Sequence, residues 1–214
     1  MKITIFGANG AIGTHVVNNA LQHGNEVTAY VRRADAMDIK HENLEVVVGD
    51  LQDRKQIEKA IVGTDIVIST LGPYMETSRV VKDTPISSGY EVIIELMKKL
   101  NKKRLITIGT PTYRNDGDRK DFNNVLFPFI LKHVFPVTHF KSQRMGRIIK
   151  KSGLDWTVIR FIDPKIKHKD KPVVVTLDGT TKKTRISRES IASFIYKVAS
   201  ENLYIQQMPT VSYR

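Results

Sequence analysis

Met1-Lys2-Ile3-Thr4-Ile5-Phe6-Gly7-Ala8-Asn9-Gly10-Ala11-Ile12-Gly13 opens the sequence, a short apolar run that passes straight into a glycine-spaced turn. A buried parallel strand that ends in such a turn, with a helix beginning beyond it, leaves free backbone amides pointing at an anion. Each glycine has a mechanical task in this reading. Gly7 permits the sharp turn, Gly10 lets backbone approach a pyrophosphate, and Gly13 lets the new helix pack closely on the strand. The spacing is G-x-x-G-x-x-G rather than G-x-G-x-x-G. A glycine pattern alone is a weak signal. The strand before it and the helical pattern after it are the context that makes this a dinucleotide turn.

Working outward, residues 11–21 read as a helix stopped by His23-Gly24, and residues 26–31 and 44–48 as strands. Asp53 is a plausible N-cap for a helix to Ile61, with Ile57, Ala60 and Ile61 on one face. Residues 65–70 form a near-continuous apolar strand, as expected where both faces of a parallel sheet are covered. A helix over 87–100 buries Val92, Ile93, Leu96, Met97 and Leu100, and strands follow at 104–108 and 155–160. Strand and helix alternating with short connections indicate a doubly wound α/β sheet. The second half is less regular. Residues 111–124 read as a long loop over the carboxyl edge of the sheet. Residues 125–135, apolar but interrupted by Pro128, read as a short helix or two half-turns forming a lid. A basic amphipathic helix is expected over 138–152, a strand over 173–177 at the far end of the sheet, and a last helix over 187–199 with Ser187 as N-cap.

The 214 residues suit one domain, 1–214, to which 111–140 and 161–214 contribute a lid and substrate region. There is no cysteine, which excludes disulfides, thiolate catalysis and Cys-type zinc sites. The first strand starts at once and no apolar run is long enough to span a membrane, so a cytoplasmic protein is expected. The net charge is +12, and residues 141–188, with 14 Lys or Arg against four Asp, carry +10 of it. This stretch reads as a solvated basic face that would suit an anionic partner. Nucleic acid is not expected, because no aromatic residues interleave the lysines.

In an open parallel sheet, ligands sit over the carboxyl ends of the strands, so the residues just after each strand are the candidates. After the first strand, Gly7, Asn9, Gly10, Ala11, Ile12 and Gly13 form the pyrophosphate turn. After the second come Arg32 and Arg33, with no carboxylate at 30–33 to grip a ribose 2′-hydroxyl. Guanidinium groups there pair with a 2′-phosphate, which favours NADP(H) over NAD(H). Asp50 and Leu51 follow the third strand and face the adenine. Thr70, Leu71 and Gly72 follow the fourth, near the nicotinamide-side ribose, though Gly72 reads equally well as a turn glycine. Thr110 follows the fifth, near the nicotinamide.

Three separated motifs resemble the atypical short-chain dehydrogenase/reductases, in the NmrA-like NAD(P)H-binding branch that includes biliverdin IXβ/flavin reductase. They are Gly7-Ala8-Asn9-Gly10-Ala11-Ile12-Gly13, Val48-Gly49-Asp50-Leu51 and Ser152-Gly153-Leu154-Asp155-Trp156-Thr157-Val158-Ile159-Arg160. The resemblance spans residues 1 to about 163. It implies a Rossmann sheet ordered 3-2-1-4-5-6 with a small C-terminal substrate region. It also implies Arg32 at the 2′-phosphate, Asp50 and Leu51 at the adenine, Leu71 and Gly72 at the ribose, and Thr110 where a serine commonly lies beside the nicotinamide. The chain departs from the main short-chain family: none of its seven tyrosines has a lysine four residues later. The helix before Ser152, which in the family carries an acidic residue or histidine, reads Lys141-Ser142-Gln143-Arg144-Met145-Gly146-Arg147.

Hydride chemistry is largely the cofactor's, and the protein must place the acceptor and a proton source. Thr110, Tyr113 and Lys141 are the catalytic candidates, with His139 behind them. As alternatives, Tyr113 reads as a partly exposed loop tyrosine and Lys141 as a solvated helix lysine. Phe127, Phe129, Phe135 and Phe140 would line a flat aromatic pocket or serve as core. The acidic residues and histidines show no metal-ligand spacing. The expected function is an NADPH-dependent reductase of a small planar acceptor of flavin, quinone or tetrapyrrole type, acting as monomer or homodimer. The alternative is a non-catalytic NADP(H)-sensing regulator of the NmrA type.

Overall fold

Ile3 to Phe6 are almost wholly enclosed, because β1 (Lys2–Phe6) lies inside a sheet covered on both faces. The computed structural model describes residues 1–72, 85–165 and 171–214. The elements after β1 are α1 (Gly13–Gln22), β2 (Glu26–Val31), β3 (Leu44–Val48), α2 (Arg54–Ile61), β4 (Ile66–Ser69) and α3 (Pro85–Lys99). There follow β5 (Arg104–Gly109), α4 (Phe122–Val134), α5 (Pro136–Lys150), β6 (Asp155–Arg160), β7 (Asp163–Lys165), β8 (Val173–Thr176), β9 (Arg185–Ser187), α6 (Arg188–Ser200) and β10 (Thr210–Tyr213). The main sheet runs β3-β2-β1-β4-β5-β6-β10-β8, so the expected 3-2-1-4-5-6 order holds, with two strands added at the far edge. All pairings in it are parallel except β10 with β8. β7 and β9 pair with each other in a separate parallel ribbon.

Alternation along β1 feeds two cores. Ile3 and Ile5 join Val16, Val17, Ile191 and Ile195 under α1 and α6, while Phe6 joins Ile57, Ile93, Met97, Met145 and Ile149 under α2, α3 and α5. Each helix presents the stripe that its spacing dictates. Asp53 caps α2 by accepting from the Gln56 amide at 3.1 Å, and Ser187 caps α6 by accepting from the Ser190 amide at 3.1 Å, both as expected. Trp156 is core, also as expected.

Two expectations need correction. Helix α4 starts at Phe122, inside the stretch read as loop, and continues through Pro128 as one helix. Proline there removes a backbone hydrogen bond, but its ring is buried and, with Leu131, faces α5, which offsets the loss. Helix α5 starts at Pro136, two residues earlier than read, because proline is preorganised for a first helical position. The strand near 173 lies at the far edge of the sheet, as expected, and joins it through β10, which pairs Thr210 with Arg160 on one side and with Thr176 on the other. Part of the basic stretch, residues 166–170, lies outside the described residues. Among the described residues, no helix is long and apolar enough to cross a membrane.

Candidate functional site

The sheet order reverses direction between β1 and β4, and the glycine turn sits at that switch point. Gly7 has φ +76°, a left-handed conformation, and its carbonyl accepts from the Gly10 amide at 2.9 Å. A Cβ on Gly13 would lie 2.1 Å from the Gly7 carbonyl oxygen, so Gly13 is what lets α1 close on β1. Gly10 differs: an added Cβ would meet only the Gly7 oxygen, at 3.0 Å, and otherwise point into open space. The Ala11, Ile12 and Gly13 amides have no backbone acceptor among the described residues. Ile12, the N-cap of α1, offers no side-chain cap, and the first turn of α1 holds no acidic residue. Free amides, an uncapped helix end and no repelling carboxylate fit the pyrophosphate of a dinucleotide.

Thr70 braces this turn from the side, its hydroxyl within 3.2 Å of the Phe6 carbonyl and 3.0 Å of the Gly7 carbonyl. The structure therefore gives Thr70 a scaffolding contact beside the expected ribose. Beneath it lies a cluster that the sequence reading missed. The Tyr90 hydroxyl, fully buried on α3, meets Ser69 Oγ at 2.7 Å and Thr107 Oγ1 at 2.6 Å and donates to the Leu71 carbonyl at 3.2 Å. Since Tyr90 has one proton to give, Ser69 and Thr107 donate to it. Burial holds the Tyr90 hydroxyl above its ordinary pKa, against the opposing hydrogen bonds from Ser69 and Thr107. The ends of β4 and β5 are thereby tied together under the residues that follow them. The only sequence signal was a tyrosine at position 90, on the buried stripe with Ile93 and Met97.

After β2, Arg32 and Arg33 are exposed, and Arg33 pairs with Asp35 at 3.5 Å. No ion pair is formed by Arg32 among the described residues, so it is the freer guanidinium. After β3, Asp50 accepts from the Gln52 amide at 2.7 Å and the Asp53 amide at 3.0 Å through one carboxylate oxygen, leaving the other uncommitted among the described residues. Its carbonyl accepts from the Tyr30 hydroxyl at 2.7 Å, and Gly49 leaves room for that hydroxyl, because a Cβ there would sit 2.3 Å from it. Burial first, then the carboxylates of Asp53 and Asp50, raise the Tyr30 pKa, so it stays a donor. Leu51 packs against Gly89 of α3, and Leu71 against the same core, while Gly72 is exposed and open.

The loop after β5 is held more firmly than expected. Thr110 and Thr112 share a hydroxyl hydrogen bond of 2.6 Å. Tyr113 is not a half-exposed loop residue. Its ring is buried between Gly109 and Gly146, the two positions where a side chain would collide with it or crowd it. Burial, with a smaller contribution from Tyr90, keeps its hydroxyl protonated well above the ordinary range. Arg160, at the end of β6, is 1 % exposed and grips the Asp118 carboxylate with both terminal nitrogens, at 2.6 and 2.8 Å. It also donates to the carbonyls of Tyr113 and Met208, each at 3.0 Å. The sequence reading used Arg160 only as part of a motif. A charged residue in a strand expected to be covered on both faces was the signal that it needs a buried partner.

Lys141 is likewise buried, 5 % exposed on α5, and not the solvated lysine that was one reading. Burial, with Lys132 adding to it, lowers the His139 pKa, so neutral imidazole is favoured. Phe129 and Phe140 are exposed, and Phe127 and Phe135 are only half-buried.

A doubly wound parallel sheet with a glycine turn and an uncapped helix end at its switch point defines a Rossmann-type dinucleotide-binding protein. The NAD(P)H-binding family model matches residues 7–202, and the chain belongs to that family. Phenylcoumaran benzylic ether reductase of Nicotiana tabacum is 34% identical over 80 residues, 33% of this chain and 26% of that protein. The chain spans between 26% and 44% of the length of the first curated relatives it matches. A Veillonella parvula short-chain dehydrogenase/reductase solved in complex with NADP has a TM-score of 0.76 at 20% identity, covering 99% of this chain and 94% of that one. A Streptococcus pneumoniae chain ascribed to the NADH-flavin reductases has a TM-score of 0.72 at 21% identity, covering 100% of both chains. At these identities the structural likeness is one of fold.

Proposed function

We propose that the chain is an NADPH-dependent oxidoreductase acting on a small planar acceptor of flavin, quinone or tetrapyrrole type. The observation that carries this is the anion-ready turn at Gly7–Gly13, combined with an exposed Arg32 directly after β2. When bound, the reduced nicotinamide supplies the hydride. The residues of this chain do the rest. The amides of Ala11 to Gly13 hold the pyrophosphate, Arg32 pairs with the 2′-phosphate, and the Asp50-Leu51 turn receives the adenine. Arg33, shared with Asp35, adds charge at longer range. Leu71 and Gly72 border the ribose. The Thr110–Thr112 pair offers a hydroxyl to the carboxamide or the acceptor, and residues 111–140 with 161–214 supply the lid and substrate wall. Tyr113 can donate a hydrogen bond but, with its proton held so firmly, it is no base.

Arg32→Ala is expected to raise the NADPH Kd by roughly 10- to 100-fold, the worth of a charge-assisted pair, while NADH binding shifts by less than about twofold. Fluorescence titration with both cofactors reads this directly, and equal losses would remove Arg32 from the 2′-phosphate. Thr110→Ala is expected to lower kcat about tenfold with the NADPH Kd unchanged, the loss of one positioned hydrogen bond. The Thr110 test requires turnover to be established first, by following NADPH consumption against flavins, quinones and biliverdin. A second reading, a non-catalytic NADP(H) sensor, is favoured by the burial of Tyr113 and Lys141, two of the three catalytic candidates. Tight NADPH binding with no acceptor reduced across that panel would select it.

A further inference from the structure

Helix α4 is apolar on both sides, and among the described residues only one side is covered. Pro128 and Leu131 face inward to α5. On the opposite side Phe122, Val125, Leu126, Phe129 and Ile130 are 76%, 48%, 37%, 58% and 41% exposed. Residues 122, 126, 129 and 133 follow one another at steps of four, three and four, the 3.5-residue spacing of a helix–helix seam, and Val125 and Ile130 flank it. No charged residue occurs from 122 to 131. The fourth seam position is His133, whose ring lies 4.1 Å from that of Phe129, so it continues the stripe.

We infer that this face of α4 is the docking surface for a second copy of the chain, in an antiparallel helix pair about a two-fold axis. Three features favour that occupant. The first is area. The five side chains present roughly 500 Å² of apolar surface. A standard interface takes about 800 Å² from each partner, somewhat over half of it apolar, so the patch supplies what one half of a stable dimer needs. The second is self-complementarity. With the axis passing between positions 127 and 128, Leu126 meets Phe129 of the second copy, Val125 meets Ile130, and Phe122 meets His133, each pairing occurring twice. A two-fold interface requires this reciprocity. The third is charge. The chain carries +12, and its seam is one place where two copies meet without setting lysines or arginines face to face. A helix seated on an anionic membrane would instead carry several basic residues along its polar flank, and α4 has one lysine, Lys132.

The test is the mass of the full chain in solution, by sedimentation or light scattering from roughly 1 to 100 μM, a range chosen around micromolar affinity. The expected result is a dimer that tightens as salt is raised, since screening relieves repulsion between like-charged copies. The double variant Leu126→Glu with Phe129→Glu should be monomeric, with its helical content intact, because both side chains are exposed in the single chain. If that variant does not fold, Phe129→Ala should raise the dimer dissociation constant at least tenfold. A wild-type chain that stays monomeric over the whole range, or a dimer indifferent to these substitutions, overturns the inference. So does a monomer that binds phosphatidylserine vesicles through Leu126 and Phe129, since the face would then be a membrane seat. The inference is independent of the cofactor reading, and loss of the dimer leaves that reading untouched.

Discussion

Asp118→Ala should destabilise the chain by roughly 3–5 kcal/mol, the cost of leaving a buried charge without its partner. At about 2–4 °C per kcal/mol for a chain of this size, thermal unfolding should move down by about 10 °C. Arg160 would remain in place with only the Met208 and Tyr113 carbonyls as acceptors. The turn would suffer as well, because Asp118 also accepts from the Asn115 amide at 2.8 Å. Asp118→Asn retains the shape and one acceptor but also removes the charge and turns an amide NH2 toward a guanidinium N–H, so it should recover only a small part of the loss. Urea unfolding of the two variants distinguishes charge from packing. A loss below about 1 kcal/mol for the alanine variant would mean that water reaches the guanidinium and that the pair is an ordinary surface bridge.

The second large effect comes from contrasting two glycines. Gly13→Ala is expected to cost about 2–3 kcal/mol, the upper range for overpacking, because the new carbon must displace the Gly7 carbonyl against which α1 is packed. Gly10→Ala should leave stability within about 1 kcal/mol, since its Cβ meets a single backbone oxygen, at a tight 3.0 Å that a shift of a few tenths of an ångström relieves. Its cost should fall on the ligand, with the NADPH Kd raised at least tenfold, as a methyl group occupies the approach that the pyrophosphate would use. Thermal unfolding and cofactor titration of the pair give opposite rankings if the reading is right. An alanine at position 10 that binds NADPH as the wild type does would take the pyrophosphate off this turn.

The contrast between those glycines also shows what a sequence can reveal. The spacing of Gly7, Gly10 and Gly13 already assigned one glycine to the turn, one to open approach and one to close packing, and the geometry adds how tightly Gly13 is held, with a Cβ there 2.1 Å from the Gly7 oxygen. Long periodic segments were legible for the same local reasons that fold them. The residues of β2, β3 and β6 and the cap of α2 at Asp53 needed no partner to be recognised. The three-residue strands β7 and β9 carry too little pattern to declare themselves, and β10 is defined by its place between β6 and β8. Pro128 hid the continuity of α4, since its tolerance depends on burial against α5. Around the site, the strand-end residues were legible because a parallel sheet fixes where they must lie. The roles of Tyr90 and Arg160 were not. Each depends on partners far away in sequence, Ser69 and Thr107 for one, Asp118 and Met208 for the other.

The Tyr30 hydroxyl beneath the Asp50 carbonyl has a consequence for the order of events in binding. Gly49 gives that hydroxyl its room, and the Asp50 carboxylate ties down the amides of Gln52 and Asp53. The turn after β3 is thus rigid before any ligand arrives, and docking there requires little further loss of chain entropy. A dinucleotide would therefore engage by its adenosine end first, with the rest of the molecule then searching a short arc toward the ends of β4 and β5. Residence time would be set at the far end of the groove, and capture at this one.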